Sequence, residues 1–411
     1  MKTNKSACER FPLRPLRIFL AYFAVKDFDR KVRKGFAQYA KIGFLASWML
    51  ATVALPDCIA ENPVPTEKID HIFAGIKAAR EPGAAVLVVR NGVTIFERGY
   101  GVSDLRSLRS IDSQTNFRLA SCTKQFTATA VMLLVHDGKL HYEDRLTDVF
   151  PDFSGYGKSI TIRNLLNHTS GLLDYEDLMA KPAAGTPPEQ IPQIKDAGVL
   201  ALLKQQTTTK FPPGTQWDYS NSGYAVLAMV AEKISGQPFG EFLHDRIFTP
   251  LGMKQTVAYE KGRNTVSNRA FGHTHEGGAW NEQDQSPTSA VLGDGGVYSS
   301  LDDLVKWDRA LAQHTLLSEA EMKPAITAVN VADRSVQEPD GTPAAYGFGW
   351  FLNPYKKNPR MWHYGETVGF RTTIQRFVSE KLTIIVLCNR DDLVPANLAL
   401  KVADLFLSPG Q

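Results

Sequence analysis

Ser121 and Lys124 stand three residues apart in Phe117-Arg118-Leu119-Ala120-Ser121-Cys122-Thr123-Lys124-Gln125-Phe126. A serine hydroxyl is a poor nucleophile until a nearby base takes its proton, and a buried lysine loses its charge readily enough to be that base. On a helix, residues i and i+3 share a face, which brings the two groups together. The apolar run Phe126 to Val135, without Pro or Gly until Asp137-Gly138, predicts such a helix with Ser121 in its first turn. There the Ser121 N–H lacks an intrahelical acceptor and is free to stabilise an oxyanion. Alone, Ser-x-x-Lys recurs by chance, the serine as an N-cap and the lysine in solvent, so other groups decide the matter. Tyr219-Ser220-Asn221 opens a helix after the turn Phe211-Pro212-Pro213-Gly214, which puts a phenol and an amide on an exposed loop. His363-Tyr364-Gly365 follows Trp362 on a predicted strand and precedes Gly369-Phe370.

The elements that must position these groups are legible in outline. Ile69, Ile72, Phe73 and Ile76 predict an amphipathic helix over about 67–80. Ala84 to Arg90 and Val93 to Gly99 read as strands joined by Asn91-Gly92, a strong hairpin signal. Short helices are expected from Ile162 to a stop at Ser170-Gly171 and near 195–206, 225–234, 239–247 and 301–312, and a surface excursion rich in Pro, Ala and Gly over 174–193. Strands are expected at about 347–352, 361–364, 370–378 and 382–388, then a last helix over 395–407. Strands and a helix at each end with helices between them predict an α+β chain: a sheet built from both chain ends, with a mainly helical region inserted.

At 411 residues the chain can bury a large core. Its formal charge of +3 is unevenly spread: residues 1–60 carry a net +7, leaving −4 on the rest. A mildly acidic body gives no reason to expect nucleic acid as a partner. Lys31, Arg33, Lys34 and Lys41 precede the apolar stretch Ile42 to Leu55, and Cys58-Ile59-Ala60 follows with small residues at cleavage spacing. This pattern predicts a secretory signal cut after Ala60, with an unusually long region before Lys31 that suggests an over-extended start. The apolar stretch is shorter than the roughly 20 residues a spanning helix needs, so no stable span is expected after cleavage. The division is then a targeting region, 1–60, and one domain, 61–411, located in the periplasm or outside the cell. Cys122 and Cys388 would remain as two buried thiols, though a disulfide between them stays open.

Taken together, Ser-x-x-Lys, Tyr-x-Asn and His-x-Gly, each about a hundred residues apart, resemble the serine β-lactamase and penicillin-binding-protein superfamily, in its class C-like branch. That branch holds esterases, D-aminopeptidases and DD-carboxypeptidases. The resemblance extends over about residues 66–408 and includes Leu165-Leu166-Asn167-His168-Thr169-Ser170-Gly171-Leu172, Pro250-Leu251-Gly252-Met253, Gly295-Gly296-Val297-Tyr298-Ser299 and Tyr346-Gly347-Phe348-Gly349-Trp350. It implies a β-lactamase/DD-peptidase-like fold and an acyl-enzyme on Ser121, with no metal or cofactor. Lys124 and Tyr219 would share the proton work, and a phenol serves as base only if a cation such as Lys124 lowers its pKa from about 10. Asn221 would orient Lys124 and the substrate. The Ser121 N–H and the Glu366 N–H, just after the His363-Tyr364-Gly365 triplet, would form the oxyanion hole.

The chain departs from that pattern in two places. β-Lactamases of this branch have Lys-Thr-Gly where His363-Tyr364-Gly365 stands, and a mostly neutral imidazole grips a substrate carboxylate less well than that lysine. His-x-Gly resembles the esterase and aminopeptidase members, so efficient β-lactam hydrolysis is not expected. An ionisation near pH 6 to 7, lost in His363→Ala, is. Glu366 beside the proposed hole must turn its carboxylate away, and Arg371 is either a cation for an acidic substrate or a plain strand residue. His168 reads as a structural helix-end residue and Asp294 as either pocket lining or turn support. His273-Thr274-His275 lacks a third metal ligand and reads as a strand with two exposed imidazoles. The expected function is an exported serine hydrolase cleaving an ester or amide of a small-molecule or peptide substrate. A DD-carboxypeptidase or β-lactamase, and a slowly acylated penicillin-binding sensor, are the alternatives.

Overall fold

The computed structural model describes residues 64–76, 80–181, 190–333, 335–338 and 341–407. The described residues belong to one compact unit, Asn62–Gln411. The expected signal, with Cys8, Cys58 and the cleavage site, lies outside the described residues. Among the described residues, no helix is long and apolar enough to cross a membrane.

The sheet is antiparallel and joins the chain ends, as the pattern of elements implies. Its strands are β1 (Ala84–Arg90), β2 (Val93–Tyr100), β3 (Met361–Thr367), β4 (Phe370–Phe377) and β5 (Leu382–Cys388), in the order β3-β4-β5-β1-β2. The β1–β2 turn has positive φ at both Asn91 (53°) and Gly92 (75°), as an Asn-Gly hairpin requires. Both faces of the sheet are covered, which is why β1 and β5 are apolar at nearly every position instead of alternating. Val86, Val88, Ile384 and Val386 pack under α1 (Thr66–Ile72) and the C-terminal helix Pro395–Ala403. Leu87, Ile385 and Leu387 face the helical region, where α2 (Lys124–His136), α3 (Asp196–Lys204) and α4 (Asn221–Ser235) share one core.

Three expectations need correction. Residues 347–352 form no strand; they make isolated bridges, Tyr346 to Phe351 and Phe351 to Trp362, because Gly349 at φ +77° breaks the run. The segment from residue 174 is not wholly a surface excursion, since Tyr175 is buried in the short helix Tyr175–Leu178. His273 is buried and only His275 of that pair is exposed. Cys122 and Cys388 are free and buried.

Candidate active site

The turn that carries Ser121 is set by what lies on each side of it. Phe117-Arg118 pairs with the strand Val297–Ser299, and a tight turn, Ala120–Thr123, then feeds α2. Ala120, the residue before Ser121, takes φ +46°, a left-handed conformation that costs a non-glycine residue energy and persists only when its surroundings hold it. Lys124 opens α2 and is fully buried. Its Nζ lies 3.1 Å from Ser121 Oγ, 2.9 Å from Asn221 Oδ1 and 3.0 Å from the Asp294 carbonyl oxygen. Three acceptors match the three donors of an ammonium. Burial nonetheless pulls the Lys124 pKa down to about 8, against the opposing charge of Asp294, so the free amine is accessible near neutral pH.

Asn221 is the first residue of α4, and Ser220 caps that helix by accepting the Gly223 N–H at 3.0 Å. The turn before it is clamped by His168, whose carbonyl accepts from the Asp218 N–H at 3.0 Å and whose Nδ1 accepts from the Ser220 N–H at 3.1 Å. His168 is thus structural, as expected, but its contacts hold the Tyr219-Ser220-Asn221 loop rather than a helix end alone. The Tyr219 ring packs at a tilt of 36° against that of His168, centroids 4.4 Å apart, and lies 4.9 Å from Lys124 Nζ. Its hydroxyl is buried with no hydrogen-bond partner. Burial, then Tyr364, push the Tyr219 pKa well above that of an ordinary phenol, and the nearby Ser121 hydroxyl only partly opposes them. The expectation that Lys124 would lower this pKa is not met: the environment keeps Tyr219 protonated.

Strand β3 supplies the other wall. Trp362 exchanges both backbone hydrogen bonds with Phe351, 2.8 and 2.9 Å, on the side away from β4. Alternate residues of a strand point their amides the same way, so the Glu366 N–H also faces outward from the sheet. Glu366 lines the same cavity as Ser121. Gly365 permits the approach: a Cβ there would lie 2.1 Å from the Leu119 carbonyl oxygen. The Glu366 carboxylate is tied across the hairpin to Arg371 at 2.9 Å, as cross-strand partners allow.

Two expected site residues are placed differently. His363 is fully buried behind the cavity, its Nδ1 2.6 Å from the Tyr364 carbonyl oxygen and its Nε2 3.1 Å from the Tyr346 hydroxyl. The first contact requires a proton on Nδ1, and in the neutral ring Nε2 then accepts from Tyr346. Burial, then the Lys124 charge, lower its pKa to about 3, which removes the expected ionisation near pH 6 to 7. Arg371 donates to the Thr367 and Phe370 carbonyls and pairs with Glu366; it lines a neighbouring cavity of about 390 Å³, not the one holding Ser121. The arginine is therefore engaged within its own hairpin.

The Ser121 cavity measures about 1050 Å³ and is lined also by Arg118, Tyr175, Glu176, Asn221 and Asp294. Tyr175 and Glu176 escaped the sequence reading because they sit in a segment whose composition resembles a loop. Asp294 does both things the sequence left open: its carbonyl holds Lys124 and its carboxylate accepts from the Tyr175 hydroxyl at 3.1 Å. Arg118 is buried, donating to the carbonyls of Gly295 and Ser289. Among the described residues no group of three or more His, Cys, Asp or Glu could hold a metal ion.

Comparison with known proteins gives a consistent result. A family model described as Beta-lactamase matches residues 69–406. The chain is 31% identical over 338 residues to a penicillin-binding protein of Bacillus subtilis, covering 79% of this chain and 72% of that one. It is 29% identical over 324 residues to a D-aminopeptidase of Brucella ovis, covering 75% of this chain and 56% of the relative, little more than half its length. Among solved structures, the D-amino acid amidase of Ochrobactrum anthropi in complex with L-phenylalanine amide superposes with a TM-score of 0.70 at 24% identity. That match covers 83% of this chain and 97% of the amidase, and shows the fold alone.

Proposed function

This chain belongs to the Beta-lactamase family and is a serine hydrolase, and we propose that it is exported and cleaves an ester or amide through an acyl-enzyme on Ser121. The observation that carries the proposal is the Lys124 amine 3.1 Å from Ser121 Oγ, buried, held by Asn221 and Asp294, with its pKa drawn down to about 8. In this reading Lys124 takes the Ser121 proton as the hydroxyl attacks the carbonyl carbon. The Ser121 and Glu366 N–H groups receive the developing oxyanion. Tyr219, kept protonated, is placed to give a proton to the leaving group and to recover it as water attacks the acyl-enzyme. Asn221 holds the amine in line. His363 acts at one remove, packing beneath Tyr219 with ring centroids 6.1 Å apart, and Gly365 lets β3 close on the nucleophile turn.

The substrate reading follows from the charges at hand. Arg118, whose Nη1 has no hydrogen-bond partner, and Lys181 line the cavity, but neither His363, neutral and buried, nor Arg371, engaged with Glu366, takes the place of the Lys-Thr-Gly lysine that grips a substrate carboxylate. This favours an ester or amide over a β-lactam or a D-Ala-D-Ala end. Residues 1–60 are proposed as the targeting region and 61–411 as the hydrolase domain. N-terminal sequencing of the mature protein should begin at Glu61, and a mature protein beginning at Met1 would remove the export proposal.

One panel tests the chemistry: a nitrophenyl ester, a D-amino-acid anilide, a D-Ala-D-Ala peptide and a chromogenic cephalosporin, with mass spectrometry of Ser121. Ester or anilide turnover, abolished in Ser121→Ala, is expected. Activity surviving that substitution excludes Ser121 as nucleophile. Turnover of the cephalosporin or the D-Ala-D-Ala peptide returns the protein to the alternative class. An adduct that persists without turnover moves it to the sensors.

A further inference from the structure

Lys124 is held by the backbone of a turn, and that turn is held from its other end by a buried acid. The four-residue helical turn Leu292–Gly295 aims three successive carbonyls at three side chains. Gly293 O accepts from Thr127 Oγ1 at 2.7 Å, Asp294 O from Lys124 Nζ at 3.0 Å and Gly295 O from Arg118 Nε at 3.2 Å. At the opposite end, its first two amides point to one carboxylate. Asp196 Oδ2 accepts the Leu292 N–H at 2.8 Å and Oδ1 the Gly293 N–H at 2.9 Å. Asp196 is the first residue of α3 and is 6% exposed. A backbone bridge between Lys195 and Ala290 brings the start of α3 alongside the turn.

We propose that Asp196 is a positioning residue for acylation: its carboxylate anchors the turn Leu292–Gly295 so that the Asp294 carbonyl holds the Lys124 amine against Ser121. The inference rests on the reading of Ser121 and Lys124 as nucleophile and base. The arrangement is dipolar, with a carboxyl at the amide end of a helical turn and an amine at its carbonyl end, the orientation the backbone dipole favours for their charged forms. The turn has little freedom to find another position. A Cβ on Gly293 would lie 2.3 Å from the Tyr224 carbonyl oxygen, so the turn is pressed against α4, the helix that also carries Asn221. Burying a carboxylate is costly unless it is hydrogen-bonded, and both oxygens of Asp196 are used on this turn. Burial pushes the Asp196 pKa up to about 7, with the facing Asp294 raising it further and the two amides opposing them. No contact of Asp196 reaches the cavity itself, so its influence passes through the backbone.

The test is irreversible labelling of the full-length protein by a fluorophosphonate at increasing concentration, read by mass spectrometry at Ser121. Saturation separates KI, the binding step, from kinact, the attack of the serine. Asp196→Asn keeps the shape but replaces one acceptor with an amide N–H₂ that faces an N–H donor. Its kinact is expected to fall about 10- to 100-fold, the loss of one or two charge-assisted hydrogen bonds, while KI stays within about twofold. Rates are normalised to the folded fraction at the assay temperature. An unchanged kinact, or a loss that only follows the folded fraction, overturns the proposal. Should the Asn variant not fold, Asp196→Ser keeps one acceptor oxygen without added bulk and is held to the same outcomes. Failure of the wild type to label at Ser121 overturns the underlying reading together with this one, whereas normal labelling of wild type and variant alike overturns this one alone.

Discussion

Replacing Gly365 with alanine perturbs the catalytic geometry without touching any group proposed to react. A Cβ at this position would lie 2.1 Å from the Leu119 carbonyl oxygen and 2.3 Å from Thr372 Oγ1. The threonine hydroxyl can rotate, but it would then abandon its own 2.8 Å bond to Leu119 O. The carbonyl is backbone and cannot. Ordinary contact begins at 3.4 Å, so β3 and the Leu119–Ser121 turn must separate by about 3.4 − 2.1 = 1.3 Å. Those two segments carry the Glu366 and Ser121 N–H groups, so the opening acts directly on the oxyanion pair. A displacement of about 1 Å in a reacting geometry costs on the order of 100-fold in rate, and overpacking costs stability of about 1–3 kcal/mol. Gly365→Ala should therefore lower kcat/KM on a nitrophenyl ester by about 100-fold, with the loss in kcat, and lower Tm by several degrees. The assay is steady-state ester hydrolysis beside thermal unfolding of the same preparation. Wild-type kcat in a variant with wild-type Tm would refute the claim that this glycine sets the spacing of the two amides.

The pH profile carries a second prediction. Lys124 is protonated below about pH 8 and a free base above it, so acylation should rise with pH through a limb near 8. His363, held near 3, stays neutral across the range, and His363→Gln should lower activity through lost packing while leaving that limb in place. A limb near pH 6 to 7 that vanishes in His363→Gln would restore the imidazole to the mechanism. Arg371→Ala should release the Glu366 carboxylate beside the oxyanion position and reduce kcat by about 3- to 10-fold, the scale of a partly screened charge. Stability should change by less than about 1 kcal/mol, because the pair is partly exposed. Glu366→Gln in the same background should restore the rate; failure to do so means the carboxylate is not the cause.

Several features of the fold depend on local chemistry and are readable without the structure. Asn91-Gly92 makes its hairpin because both residues tolerate positive φ. The apolar runs of β1 and β5 signal a sheet covered on both faces. The helix beginning at Lys124 follows from an uninterrupted apolar run closed by Gly138. Where the reading failed, an aromatic pattern misled it, as at 347–352, or a loop-like composition concealed a buried tyrosine, as at Tyr175. Asp196 had no signal at all, since an acid opening a helix is ordinary in sequence and only its neighbour in space makes it unusual.

The sequence by itself determined which groups are available: a serine and a lysine one helical turn apart, a tyrosine and an asparagine on a helix-opening loop, and a glycine on a strand. Residue type and short-range spacing carry that much because helix and strand periodicity act over a few residues. The state of each group was decided by tertiary structure. The Lys124 pKa is drawn down because segments near residues 121, 221 and 294 converge on it and bury it completely. His363 loses its ionisation, and Tyr219 keeps its proton, for the same reason of burial. Arg371 is withdrawn from the site by a partner across a hairpin. Desolvation and long-range pairing depend on what the folded chain brings together, and no local pattern encodes them.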